Sequence, residues 1–257
     1  FGEDINGAQN TIGGDLATIK HYIGEMYFLR AYAYYKKYLN VGDFPIIKEP
    51  LPDDAAVLTE ASKRAPRNEV ARFILEDLDK AYQYMSAKDL ATTRINKDVA
   101  KLMASRVALF EATWLQNFNG TAFVPGGNGW PGGAGYSYPA GSLDAEVKYF
   151  LGVAADAAKY VADKYVGKLT ENTGYVQQDA AQAPNPFHEM FATENLSGYP
   201  EVLMWREYGR GLVTHNVNSA AGRGNYRNGL TRGFVQNFLM AVGSPVYTHG
   251  TYAEGDG

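Results

Sequence analysis

The run Gly24-Glu25-Met26-Tyr27-Phe28-Leu29-Arg30-Ala31-Tyr32-Ala33-Tyr34-Tyr35 constrains the fold more than any other stretch of this chain. It sets tyrosines, alanines and one arginine into a helix. Gly42-Asp43-Phe44-Pro45 then stops that helix abruptly. Ala31 and Ala33 let a neighbouring helix approach closely, and the rings fill the space on either side. Gly42 can take the left-handed conformation that ends a helix, and Pro45 cannot continue one. Such a helix needs partners, and the rest of the sequence supplies them.

Asp15 is placed to cap this first helix, which runs to about Asn40 with Leu16, Ile19, Ile23, Met26 and Leu29 at three-four spacing as its expected buried stripe. Residues 43–66 hold Pro45, Pro50, Pro52 and Pro66 and are expected to form an extended, exposed crossing. A second helix starts near Asn68 and carries Val70, Phe73, Ile74, Leu78, Ala81, Tyr82 and Met85 on one face. Asn96 caps a third, with Val99, Leu102, Met103, Val107, Phe110 and Trp114. Residues 117–141 hold eight glycines and three prolines and are expected to form a loop. Ser142 caps a fourth helix through Val147, Phe150, Leu151, Ala154, Ala158 and Val161 to Tyr165, stopped by Gly167. Beyond it, the pattern predicts a helical turn at Phe187–Phe191, a strand at Val202–Tyr208 and a last helix at Thr231–Met240. The helix starts are too irregular for a repeat array of period about 34 residues. The expected class is mainly α, with tetratricopeptide-like helix pairs, long loops and minor strands. In these terms the chain divides into a helical scaffold at 15–115, a glycine-and-aromatic loop at 117–141, a helix at 142–167 and a loop-rich part at 168–257.

Composition removes several classes of function. A formal charge of −4 argues against nucleic acid or an anionic membrane as the main partner, because both require basic patches. With no cysteine, neither a disulfide frame nor a thiolate metal site is possible. No apolar window reaches the ~18 residues needed to span a bilayer. His21, His188, His215 and His249 are scattered, with no spacing suited to zinc. The glycine clusters at 126–129 and 132–135 are not followed by lysine, and no nucleophile elbow occurs. Glu76, Asp77 and Asp79 lie off the apolar stripe of their helix, and Glu201 and Glu207 do not form a convincing pair of catalytic acids. No catalytic residue, cofactor or metal is expected.

Binding is a better prospect. The chain holds 19 Tyr, 12 Phe and 3 Trp beside 28 Gly. The loop from Phe118 to Tyr138 mounts Phe118, Phe123, Trp130, Tyr136 and Tyr138 among glycines, with Asn128 nearby. Sugars present an apolar C–H face to an aromatic ring and hydroxyls to amides, so Trp130, Tyr136, Tyr138 and Asn128 are candidate ligand residues. The competing expectation is that these rings fold back over the scaffold, as long loops often do. A second polar stretch contributes Tyr208, Asn225, Tyr226 and Arg227, in the company of Arg210, His215, Asn216, Asn218 and Arg223. Arg30 and Arg106 lie among apolar helix positions and are expected to meet carboxylates or helix carbonyls, with Glu25 and Asp43 as nearby partners in a structural network.

Read in order, these segments resemble the RagB/SusD family of outer-membrane nutrient-binding proteins. The resemblance lies in Gly24 to Tyr35 with Gly42 to Ile46; in Arg67, Glu69, Val70, Phe73, Ile74, Asp77, Leu78, Asp79 and Ala81; and in Arg94, Lys97, Ala100, Ala104, Arg106, Val107 and Leu109. Pro200 to Met204 and Phe234 to Val246 add weaker likenesses, with Ala241-Val242 where the family usually has Asp. The resemblance implies a cell-surface binding protein, lipid-anchored in the outer membrane. It would deliver oligosaccharide, or in some members peptide, to a SusC-like TonB-dependent transporter. It also implies an internal portion of a longer chain, with the lipid anchor outside it. The alternative from another class is a tetratricopeptide-like protein-interaction scaffold, which would bury Trp130, Tyr136 and Tyr138 and show helix-lined grooves.

Overall fold

A computed structural model of the protein describes residues 13–86, 93–133, 135–175, 177–209, 213–215, 217, 231–240, 242–245 and 248. Seven helices occur among them: α1 Leu16–Val41, α2 Ala55–Ala61, α3 Arg67–Tyr84, α4 Lys97–Asn117, α5 Leu143–Tyr165, α6 Pro186–Ala192 and α7 Arg232–Val235. The fold is mainly α.

The helix starts follow local chemistry. The Asp15 carboxylate accepts the Thr18 N–H at 2.8 Å, Asn96 accepts from Asp98 and Val99, and Ser142 accepts from Ala145. Gly42 ends α1 at φ 68° and returns its N–H to the Tyr38 carbonyl. The four long helices α1, α3, α4 and α5 pack in series, each on the next. Val70, Ile74, Leu78 and Ala81 of α3 are buried at the centre, against Phe28, Ala31 and Tyr38 of α1 and Ala100, Val107 and Ala108 of α4.

The buried face of α1 is not the expected one. Leu16, Met26 and Leu29 are 42%, 66% and 48% exposed, whereas His21, Ile23, Gly24, Phe28, Ala31, Tyr35 and Tyr38 are buried. Small residues explain the choice: α1 meets α3 through Gly24 and Ala31, where backbones come close, and tyrosine rings supply the buried area.

Three further expectations are corrected. The crossing at 43–66 contains α2, capped when Asp54 accepts the Val57 N–H, with none of its residues buried. The stretch Val202–Tyr208 forms no strand: among the described residues only the isolated bridges Phe44↔Ala65 and Leu239↔Pro245 occur. There, Asn96 Nδ2 caps the Leu203 carbonyl at 2.9 Å in place of a ladder partner. The final helix is confined to the single turn of α7, followed by turns. By compactness the chain forms two units, Phe1–Glu207 and Tyr208–Gly257. The first holds α1–α6 and the second holds α7.

Candidate functional site

The loop 117–141 is tied to the helical scaffold at two of its candidate rings, Trp130 and Tyr136, and to itself at the third, Tyr138. Trp130 donates its indole N–H to Asp43 Oδ2 at 2.8 Å, while Asp43 Oδ1 accepts the Arg67 backbone N–H at 2.8 Å. One carboxylate therefore joins the end of α1, the start of α3 and the loop. Tyr136 donates to Glu69 Oε1 at 2.7 Å and accepts from Asn68 Nδ2 at 3.1 Å. Burial, followed by the hydrogen bond to Glu69, pushes the Tyr136 hydroxyl well above the usual phenol range. Tyr138 donates to the Pro125 carbonyl at 2.5 Å, and burial pushes its hydroxyl up to about 12. The three rings meet edge to face, Trp130–Tyr136 at 5.4 Å and Tyr136–Tyr138 at 4.9 Å. Gly132 lies beneath the indole: a Cβ there would come within 2.1 Å of the ring, so the turn requires glycine. These three rings are half-buried. Asn128 is exposed, and its backbone N–H closes the loop on Gly120.

Beneath the loop lie two buried acid networks. Glu111 accepts from the Tyr38 hydroxyl and from Arg67 Nε at 3.0 Å, and the Arg67 guanidinium stacks 4.1 Å from the Trp114 ring centre. Burial raises the Glu111 carboxyl above the usual range despite Arg67. Glu146 accepts from Arg72 at 2.7 and 2.8 Å, from Asn68 at 3.1 Å and from the Ala140 N–H at 3.0 Å. Burial pushes the Glu146 carboxyl up, but these donors outweigh it and the net shift is downward. The Ala140 contact fixes the end of the loop to α3 and α5. Both acids are saturated by donors, an arrangement that positions a loop and leaves no free proton acceptor. Among the described residues no cluster of His, Asp or Glu could hold a metal ion.

The structural residues take partners other than those expected. Arg30 pairs with Asp77 through two hydrogen bonds of 2.7 Å and caps the Lys48 carbonyl at 3.0 Å. Glu25 pairs with Arg94 and accepts from His21 Nε2 at 3.3 Å, because His21 Nδ1 accepts the Ser86 N–H. Asp43 serves Arg67 and Trp130. Arg106 is exposed and has no ion pair among the described residues, because its side of α4 faces a depression rather than a helix. Tyr208 is exposed, with its ring 5.0 Å from His215. Asn225, Tyr226 and Arg227, with Arg210, Asn216, Asn218 and Arg223, lie outside the described residues.

Sequence reasoning gave too little weight to Phe118 and Phe123. These are the loop's exposed rings, the latter at 62%, standing 5.9 Å apart beside Trp114. Their lack of a polar atom was the available signal, since a ring with nothing to donate cannot be tied back by a hydrogen bond. Two depressions flank the α-helical row. One, of about 870 Å³, is mixed in chemistry and includes Glu69, Arg72, Glu76, Tyr82 and Tyr149. The other, of about 1230 Å³ between α1, α4 and α5, is largely apolar. No helix among the described residues is long and apolar enough to cross a membrane.

Residues 4–109 match the SusD-like family described as starch-binding, associating with outer membrane. That stretch, which holds α1, α2, α3 and most of α4, is similar to the SusD/RagB family. Among solved structures it is similar to a SusD-like protein from Bacteroides fragilis NCTC 9343, at 28% identity over 40% of this chain and 20% of that one, with a TM-score of 0.34. The match thus spans a fifth of that relative's length. No curated protein matches the chain.

Proposed function

We propose that this protein captures oligosaccharide at the surface of an outer membrane and passes it to a SusC-like TonB-dependent transporter, and is not itself an enzyme. The loop 117–141 is the capturing element. The supporting observation is the Asp43 bridge, which anchors Trp130 and so holds an aromatic loop in one geometry before a ligand arrives. A ring fixed in advance loses little freedom on binding, so stacking against a sugar face translates into affinity. The half-buried rings of Trp130, Tyr136 and Tyr138 provide the stack, and exposed Asn128 provides an amide for hydroxyls. Exposed Phe118 and Phe123 extend the apolar surface. The family match over residues 4–109 supports nutrient binding and outer-membrane association, and a lipid anchor outside this chain would hold the protein there.

Isothermal titration against panels of glycans and peptides tests the proposal. A glycan is expected to bind, more weakly to Asn128→Ala and Phe123→Ala, with melting temperatures unchanged because both side chains are exposed. Silence toward every glycan, or binding by peptides alone, would remove the sugar assignment.

A further inference from the structure

The loop 117–141 contains two turns of one design. In each, an asparagine precedes a glycine and a backbone hydrogen bond closes the turn: the Thr121 N–H donates to the Phe118 carbonyl at 3.1 Å, and the Trp130 N–H donates to the Gly127 carbonyl at 3.1 Å. Gly120 and Gly129 both sit at φ 78°, the positive angle that such a turn demands of its third residue. Asn119 and Asn128 are exposed, and among the described residues neither side-chain amide has a hydrogen-bond partner. Other exposed asparagines differ. Asn172 Oδ1 accepts the Gly174 N–H and Asn185 Nδ2, Asn195 Oδ1 accepts the Ser197 N–H, and neither residue precedes a glycine.

This arrangement lets an asparagine react with its own chain. The backbone nitrogen of the following glycine gives up its proton to hydroxide and attacks the side-chain Cγ. The new N–C bond closes a succinimide ring, and the old Cγ–N bond breaks, its nitrogen leaving as ammonia with a proton taken from water. A second water then opens the ring at either carbonyl, giving aspartate, or isoaspartate in which the main chain runs through Cγ. No side chain shields a glycine nitrogen, and among the described residues the Gly120 and Gly129 N–H groups donate to nothing. The two turns differ in freedom, because attack requires the Asn–Gly peptide to rotate. Gly120 O accepts the Asn128 N–H at 3.0 Å and Thr121 Oγ1 donates to Phe118 O at 2.7 Å, so the first turn is held on both sides. The Gly129 carbonyl accepts no hydrogen bond among the described residues. We propose that Asn128 is a site of spontaneous deamidation, converting to isoaspartate and aspartate in the folded chain faster than Asn119. Isoaspartate adds a methylene to the main chain inside a turn closed at 3.1 Å, beside Trp130, whose indole is held by Asp43. The ageing chain thus loses that turn and gains a negative charge in the loop. The proposal does not rest on glycan capture.

Peptide mapping by mass spectrometry tests it on the intact chain, held in warm, mildly alkaline buffer beside a sample unfolded in urea. Chymotrypsin, which cuts after Phe118, Phe123 and Trp130, puts Asn119 and Asn128 on different peptides. Asn6 and Asn228, which precede glycines outside the described residues, are followed on peptides of their own. In the folded chain the Asn128 form should decline before the Asn119 form, and isoaspartate should accumulate beside aspartate. Its rate should lie within about tenfold of the unfolded sample, a barrier difference of no more than about 1.4 kcal/mol, and should rise with pH because the attacking nitrogen must lose a proton. Asn128→Gln should remove the product at that position, since a six-membered ring closes far more slowly, and should leave conversion of Asn119 in place. Three results would overturn the proposal: Asn119 reacting first, Asn128 persisting in the folded chain while it reacts in urea, or aspartate forming at 128 without isoaspartate, which would mean direct hydrolysis by water.

Discussion

Glu111 has no exposed surface, yet it is matched by the Arg67 guanidinium and the Tyr38 hydroxyl. The arrangement ties α1, α3 and α4 together at one point, and its cost of desolvation is recovered only while all members are present. Glu111→Gln leaves a buried guanidinium without its counter-charge, and removing one partner of a buried pair costs about 3–5 kcal/mol. Urea unfolding should show that loss, whereas Arg106→Ala, with an exposed side chain and no ion pair among the described residues, should move stability by no more than about 0.5 kcal/mol. Equal effects would refute the assignment. Asp98 gives a pH signature. Burial pushes its carboxyl up, but Lys164, Tyr165 and Tyr160 outweigh that, and the net shift is downward. A carboxyl lowered in the folded state contributes stability that is present above its unfolded pKa and lost as pH falls through the folded value. Glu146 acts in the same sense. Glu111 acts in the opposite sense: its raised value favours the fold below the unfolded pKa, and that contribution is lost as pH rises through the folded one. Asp98→Asn should therefore flatten the fall in melting temperature below about pH 4, and an unchanged acid limb would contradict the pairing. Arginine in an apolar setting was a legible sign of an ion pair at Arg30. Its partner was not, because Asp77 lies 47 residues away and depends on how α1 and α3 align.

Helix limits were legible because they depend on neighbours in sequence: Asp15, Asn96 and Ser142 start α1, α4 and α5 where their side chains can cap, and Gly42 stops α1. Which face of a helix is buried was less legible. In α1 the larger aliphatics point outward and the core takes tyrosine, alanine and glycine, a choice made by α3 rather than by α1 itself. Likewise, the candidate rings of the loop could be recognised as a group, while their anchors could not: Asp43 is 87 residues from Trp130. The contact of α1 with α3 can be tested at Gly24. A Cβ there would lie 2.5 Å from Met85 Cγ and 2.9 Å from its backbone nitrogen, so neighbouring backbone must shift. Overpacking of this kind costs typically 1–3 kcal/mol, more than the gain of about 1 kcal/mol from replacing a helical glycine. Gly24→Ala should lower the melting temperature. Gly152→Ala in α5 meets nothing within 4 Å and should raise stability by up to about 1 kcal/mol. If both substitutions stabilise, α1 and α3 are not in the close contact described.

At the scale of the molecule, the buried apolar cluster that joins α1, α3, α4 and α5 lies wholly within Phe1–Glu207, as do the loop 117–141 and its anchors Asp43, Asn68 and Glu69. A core that, among the described residues, draws on none of the later ones should fold without them. Ending the chain after Glu207 is therefore expected to leave the helical circular-dichroism signal of α1–α6 and one cooperative unfolding transition, with stability changed by less than about 1 kcal/mol, since among the described residues no buried ion pair or core side chain is removed. The same shortened chain separates two sources of affinity. If the loop is the capturing element, glycan affinity should stay within about twofold of the intact chain, roughly 0.4 kcal/mol. A folded but silent fragment would move the ligand contacts to the later stretch, where Asn225, Tyr226 and Arg227 were the candidates. A fragment that fails to fold would show instead that Tyr208–Gly257 completes the scaffold, and the division into two units would have to be given up.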